Sequence, residues 1–261
     1  MSEYLIQDTI LTGIADAIRG KTGGTAPVAV SDMAAQIEGI EAGGGDIDAL
    51  IDGSITEISS RVTEIKFHKF RSCSALKTAN FPAVTKIGNY AFDNCDHLKT
   101  ANFPVATTIG TYAFQYCGLL EIENFPAATS VGSNAFYYCR SIKTLNFPVA
   151  TSIGSYAFYY CSALKTANFP AATTIGAYAF TYCSELTALI LRSETMATLN
   201  HKNAFDETPI AFSTGYIYVP SALIEDYKVA ANWSTYAAQF RALEDYTVDG
   251  TVTGELDPNK I

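Results

Sequence analysis

The chain has 261 residues, a formal net charge of −9 and 48% hydrophobic residues, enough apolar material for one sizeable core or an elongated array with small appendages. The acidic balance argues against a nucleic-acid partner, because phosphate binding needs clustered Lys and Arg. No apolar run approaches the length of a membrane span, which speaks against membrane insertion.

The N-terminus lacks the basic start and apolar core of a secretory signal peptide, so synthesis in the cytoplasm without export by that route is expected. Within residues 1–42, Ile10, Leu11, Ile14 and Ile18 recur at helical spacing, with Asp8 or Thr9 able to cap the start. A second short helix is expected from Ser31, with Met33, Ile37 and Ile40 on one face. Two helices of this size are too small to be stable alone. They must dock on a larger assembly or on a second copy of the chain. This segment resembles N-terminal segments of tail-associated proteins of bacteriophages of gut bacteria, which implies other virion proteins as its partners. Ala15 to Thr22 also fits a relaxed phosphate-loop pattern. The mechanism of such a loop needs a strand before it and a helix starting at the Lys. Here the preceding residues read as helix, and Gly23 and Gly24 follow Lys21.

Gly43, Gly44 and Gly45 form a flexible linker. Residues 46–61 read as a cap over the open end of the array that begins at residue 62, since an uncovered strand edge recruits other chains.

Residues 62–193 fall into six consecutive copies of a 22-residue unit, paced by Cys73, Cys95, Cys117, Cys139, Cys161 and Cys183. A fixed period of this size is the signature of a solenoid. In the second copy the apolar set is Ile87, Ala91, Phe92, Cys95, Leu98, Ala101 and Phe103. One copy cannot bury that set, whereas stacked copies bury it as ladders, like on like. Thr100 to Phe103 alternates polar and apolar, which predicts a half-buried strand with Ala101 and Phe103 inward and Thr100 and Asn102 outward. Pro104 ends it. Thr107 to Ile109 reads as a second short strand, and Gly110 as the turn after it. At about 4.8 Å per coil, six coils make a rod roughly 29 Å long. Ladder cysteines stand one coil apart with parallel Cβ vectors, whereas a disulfide wants about 3.8 Å between Cβ atoms. Reduced, buried thiols are therefore expected, and the spacing is equally wrong for zinc.

The pattern Ile-Gly-x-x-Ala-Phe-x-x-Cys-x-x-Leu-x-x-x-x-Phe-Pro resembles the BspA-like leucine-rich repeat family of bacterial surface proteins. The resemblance covers about half the chain. It implies a β-rich leucine-rich-repeat solenoid with 22-residue coils, flanked here by the small helical N-terminal unit and a helical C-terminal cap. It also implies a role in binding and adhesion rather than catalysis. One departure is Ala at the strand position usually held by Ile or Leu (Ala79, Ala101, Ala167), with Leu145 and Leu189 the exceptions.

Residues 194–220 keep the repeat landmarks in Leu199, Ala204, Phe205 and Val219-Pro220, with an insertion near Thr208 and Pro209. Residues 221–243 read as a helical cap, opened by Ser221 and anchored by Trp233, the single tryptophan. Residues 244–261 are a polar, acidic tail, for which two readings stand: a small hairpin turned by Asp249-Gly250, or a mobile segment.

No catalytic motif is present: His68, His97 and His201 form no i, i+4 pair, and neither a Gly-x-Ser-x-Gly elbow nor His-Glu-x-x-His occurs. No catalytic residue, metal ligand or cofactor is nominated. What remains is surface. Outward strand positions form an Asn column (Asn80, Asn102, Asn124, Asn146, Asn168) and a Thr column broken by Ile122, while another face carries Tyr112, Tyr116, Tyr138, Tyr160, Tyr178 and Tyr182. Stacked Tyr and Asn columns can be purely structural. Tyr also supplies contact area at low entropy cost, and aromatic faces suit sugar rings. The expectation is a non-enzymatic adhesion protein, displayed as a virion component and contacting a host surface glycan or protein through Tyr116, Tyr138, Tyr160 and Tyr182. The alternatives are a bacterial surface adhesin and a spacer or decoration protein that binds nothing along its length.

Overall fold

The computed structural model describes residues 57–59, 62–122, 125–245, 247–248 and 251–252. The expected N-terminal helices, the phosphate-loop look-alike, the Gly linker and Asn124 lie outside the described residues.

Two strands and a run of turns make each coil. The longer strands include Glu57–Ser59, Thr78–Asn80 and Thr100–Asn102, which pair in parallel in that order. On the far side of residues 122–124 the same column continues through Thr144–Asn146, Thr166–Asn168, Ala188–Ile190 and Tyr216–Val219. The shorter strands form one seven-stranded parallel sheet, from Glu64–Ile65 through Thr108–Ile109 to Thr198–Leu199. Registers follow the repeat: Thr78 faces Thr100, and Ile109 faces Val131.

The third side carries no strand, yet its backbone is equally well paired. The N–H groups of Tyr90, Phe92 and Asn94 donate to Thr111, Ala113 and Gln115 of the next coil at 2.9, 2.7 and 2.7 Å. The intervening N–H groups of Ala91, Asp93 and Cys95 donate three residues back, to Gly88, Tyr90 and Phe92. Each donor thus finds an acceptor, as a tightly packed backbone demands. This alternation needs left-handed conformations twice per coil, at Tyr90 (φ 56°) and Asn94 (φ 63°), and repeats at Tyr138, Tyr160 and Tyr182. Left-handed backbone costs a non-glycine residue roughly 1–2 kcal/mol. The stacking of whole coils offsets that cost.

The interior is built as columns. Phe92, Phe114, Phe136, Phe158 and Phe180 stack with centroids 5.1 to 5.3 Å apart. A second column, Phe81 to Phe169, packs edge-on or tilted against the first. Phe125 stacks on both Phe103 and Phe147, so this column is continuous past residues 122–124. All six cysteines are free and buried. The thiols of Cys95, Cys117, Cys139, Cys161 and Cys183 each donate to a Phe carbonyl of the preceding coil, at 2.9 to 3.2 Å. Cysteine here is more than a small hydrophobe, because it adds a weak donor where one is usable. Burial pushes the Cys117, Cys139 and Cys161 thiols well above their ordinary value.

The chain turns directly after Gly110, as expected, but that turn is not why Gly88, Gly110, Gly132, Gly154 and Gly176 are glycines. None needs a positive φ; a Cβ on Gly154 would lie 2.4 Å from the Ser133 nitrogen of the preceding coil. The glycine is there because two backbones meet.

The Asn column also departs from expectation. Asn102 is exposed and donates to Asn80 Oδ1 at 2.8 Å, but Asn146 and Asn168 are only 5% and 4% exposed. The next rung after Asn168 is Ile190, buried with Ala188 beneath Tyr218 and Leu243. The outer side of this sheet is therefore covered toward the C-terminus. A hydroxyl ladder runs along another edge: Thr85, Thr107, Thr129, Thr151 and Thr173 each donate Oγ1 to the Thr carbonyl one coil back.

The C-terminal cap is not wholly helical. Ser221–Leu223 is a 3₁₀ turn, Ile224–Val229 a short α-helix and Trp233–Gln239 a second 3₁₀ segment, but Phe240–Ala242 is a strand parallel to Ile217–Val219. A strand wins there because it pairs the otherwise open edge of the longer sheet. Pro220 rather than Ser221 stands at the N-cap of the first turn, with no side-chain cap bond. The shorter sheet ends differently. Trp233 Nε1 donates to the Ala197 carbonyl at 2.7 Å, the Ala197 N–H donates to the Tyr227 hydroxyl at 2.8 Å, and Asn232 donates to the Leu199 carbonyl at 2.7 Å. Side chains thus supply what the next coil would have supplied. Beyond the cap, Thr247–Val248 pairs antiparallel with Thr251–Val252.

Candidate functional site

The turn side is where sequence places its aromatic surplus. Its two left-handed positions per coil project side chains outward and build two columns four residues apart. One column is Tyr116, Tyr138, Tyr160 and Tyr182, the four tyrosines singled out from the sequence. The structure brings all four together. Tyr138 and Tyr160 stack face to face, with centroids 4.4 Å apart and planes 10° apart. Tyr116 and Tyr182 flank them at 5.5 and 5.3 Å, tilted by 53° and 36°. Tyr112 and Tyr178 belong to the other column, which runs as Tyr90 on Tyr112 and then Tyr156 on Tyr178 and His201, with Asn134 between the two pairs.

Tyr137 and Tyr159 join the columns. They stack on each other at 5.0 Å, and Tyr137 meets Tyr138 while Tyr159 meets Tyr156. Sequence reasoning passed over both, although the Tyr137-Tyr138 and Tyr159-Tyr160 doublets were the available signal. Burial among the neighbouring rings pushes the Tyr137 and Tyr159 phenols up, and adjacent phenols add to the shift.

The stacking decides what this surface can offer. Rings layered along the column spend their faces on each other and turn edges and hydroxyls outward. None of the hydroxyls of Tyr116, Tyr138, Tyr160 and Tyr182 has a hydrogen-bond partner among the described residues. Free ring face is left mainly at the two ends, where Tyr116 and Tyr182 are 43% and 40% exposed. The ridge is thus a row of phenol donors with stacking sites at its ends, rather than a continuous platform for sugar rings.

One cation sits on it. The Arg140 guanidinium lies 4.7 Å from the Tyr138 centroid and 5.4 Å from that of Tyr160. Among the described residues Arg140 has no ion pair, whereas Arg71, Lys86, Lys99 and Lys165 each have a carboxylate within 4 Å. Nothing on this side resembles a catalytic constellation, and among the described residues no group of three or more His, Cys, Asp or Glu is placed to hold a metal. Among them, too, no helix is long and apolar enough to cross a membrane.

A family model described as the BspA type leucine-rich repeat region, in 6 copies, matches residues 54–149 and 107–223. Similar solved structures include a leucine-rich repeat protein from Bacteroides ovatus, 24% identical, with a TM-score of 0.52 over 60% of this chain and 43% of that one. A leucine-rich cell surface protein from Faecalibacterium prausnitzii is 33% identical, with a TM-score of 0.51 over 55% of this chain and 40% of that one. A leucine-rich repeat protein of T. pallidum is 24% identical, with a TM-score of 0.52 over 59% and 78% of the two chains. The chain spans less than half the length of the first two. No curated protein matches.

Proposed function

The chain belongs to the BspA-type leucine-rich repeat family, and from that premise we infer that it is a non-enzymatic binding protein that attaches a surface-displayed particle or cell to its target through the tyrosine ridge. The observation that carries this is the ridge itself. Stacking alone would account for the rings, but it leaves the hydroxyls of this row without partners among the described residues and a cation beside them, which favours recognition over a mere spacer. No catalytic family is indicated by the comparisons, and the 33% identical relative is itself a cell surface protein.

Two settings are consistent with that role. Display on a bacterial surface is supported by the F. prausnitzii relative. Display on a phage virion is supported by the resemblance of residues 1–42 to tail-associated proteins, with that segment as the attachment or self-association piece. Either setting multiplies weak contacts, since linked sites raise avidity by roughly 10²–10⁴ without new ones.

The test is retention of multimerised full-length protein on bacterial and host-derived cells, beside a variant with Tyr116, Tyr138, Tyr160 and Tyr182 changed to Asn. Asn is the right replacement, because Asn94 already holds the corresponding left-handed position with φ 63°. Retention that drops with the variant supports the ridge. Retention that is absent for both leaves the spacer reading, and retention unchanged by the substitutions moves binding to another face.

A further inference from the structure

The ridge has a charge environment unlike the rest of the chain. Of 26 acidic residues, none falls between Asn124 and Ser184, while Arg140, Lys143 and Lys165 do. In a protein of net charge −9, the tyrosine-rich middle coils are thus locally cationic. Lys165 is paired with Glu185 at 3.6 Å, but Arg140 and Lys143 have no ion pair among the described residues. Both follow Cys139 in the coil that carries Tyr137 and Tyr138.

Arg140 rests against two stacked phenols, a setting that holds a guanidinium in place by cation–π attraction while its N–H groups remain available. A planar fork of this kind pairs best with a carboxylate or phosphate, often through two parallel hydrogen bonds. Beside it runs a row of phenol hydroxyls, which pair with hydroxyl oxygens. An anion flanked by ring hydroxyls in a regular chain is the chemistry of a uronate polysaccharide. A polyol-phosphate polymer supplies the anion but only a sparse row of hydroxyls, and a neutral glucan supplies the hydroxyls without the anion.

We propose that the ridge around Arg140 binds an acidic, carboxylate-bearing polysaccharide, with Arg140 taking the carboxylate and the tyrosine hydroxyls taking the flanking sugar oxygens. This rests on the binding role inferred above and names its ligand class. The tyrosine column suits a ligand with its own repeat, while Arg140, whose place is taken by Gly118 and Ser162 in the adjacent coils, receives one carboxylate of it.

Affinity electrophoresis of the full-length protein in gels containing polygalacturonate, dextran or polyglycerol phosphate tests it. Polygalacturonate should retard the protein, dextran should not, and polyglycerol phosphate should do so more weakly. Arg140→Gln should weaken the polygalacturonate interaction roughly ten- to hundredfold, as loss of a charge-assisted hydrogen bond does. Since Arg140 is exposed, its replacement should leave the denaturant midpoint unchanged, which separates lost binding from lost folding. Equal retardation by dextran, stronger retardation by polyglycerol phosphate, or no effect of Arg140→Gln would overturn the proposal. If cells are retained through the tyrosines while polygalacturonate has no effect, the ligand class is wrong and the binding role stands. If neither cells nor polygalacturonate bind, both fall.

Discussion

Phe136 and Tyr138 stand two residues apart in the same turn, and each is a rung in an aromatic column. Phe136 stacks on its neighbours at 5.2 and 5.3 Å, and Tyr138 on Tyr160 at 4.4 Å. The geometry is nearly the same and the surroundings are opposite. Phe136 is fully buried, whereas Tyr138 lines the outside. Ring stacking by itself adds only about 0.5–1.5 kcal/mol, while burial of the ring and the cavity its loss would leave add several more. The inner column therefore holds the solenoid together, and the outer one is free to serve a ligand. Alternation of inter-coil and within-turn hydrogen bonds is what lets one short segment feed both columns.

The largest effect should come from the inner column. Phe136→Ala is expected to cost about 3–5 kcal/mol in a denaturant titration, against about 0.5–1.5 kcal/mol for Tyr138→Ala. Equal losses would show that the two columns are energetically alike and would remove the basis of the comparison. Next is the backbone contact beneath both. Gly154→Ala drives a Cβ to within 2.4 Å of the Ser133 nitrogen, and neither backbone can yield without shifting a whole coil. A loss of about 1–3 kcal/mol is expected, at the level of ordinary overpacking or above it. A neutral outcome would mean that adjacent coils slide past each other freely.

The period, the parallel coils and the inward Phe and Cys were legible in the sequence because a solenoid repeats its physics with its residues. The four tyrosines of the ridge were legible for the same reason. What escaped was set by relations between coils rather than within one. The reason for Gly154 lies in the Ser133 backbone, and Asn146 and Asn168 are buried as a pair in which Asn168 donates to Asn146 Oδ1 across adjacent coils. Phe240 reads as helix from its own neighbours, yet becomes strand because Ile217 offers an unpaired edge. Tyr137 and Tyr159 were invisible as a link, since only the folded turn shows that they bridge two columns.

The cap sharpens the contrast, for its tyrosines are buried and hydrogen-bonded where those of the ridge are open. Burial pushes the Tyr236 phenol up to about 12, with the Phe205 backbone N–H pulling the other way, and it raises Tyr227 too. A folded-state value above the unfolded one near 10 means that the cap has its full stability below pH 10 and loses it as pH rises toward 12. Fluorescence of Trp233, which packs on Tyr227 at 5.2 Å, should report the cap loosening over that interval. A flat signal would show that these phenols do not secure the end of the solenoid. Smaller still is the expected response of the thiols. Buried in the core, all six should take up almost no alkylating reagent in native protein at neutral pH and label fully after denaturation. Rapid native labelling would mean that the coils open readily.

Two properties are expected of the outer tyrosines: they can be removed without unmaking the fold, and binding should go with them. The variant carrying Asn at Tyr116, Tyr138, Tyr160 and Tyr182 tests both in one sample, by cell retention alongside native thiol protection. The expected result is thiols still protected and retention largely lost. Protected thiols with full retention would contradict it.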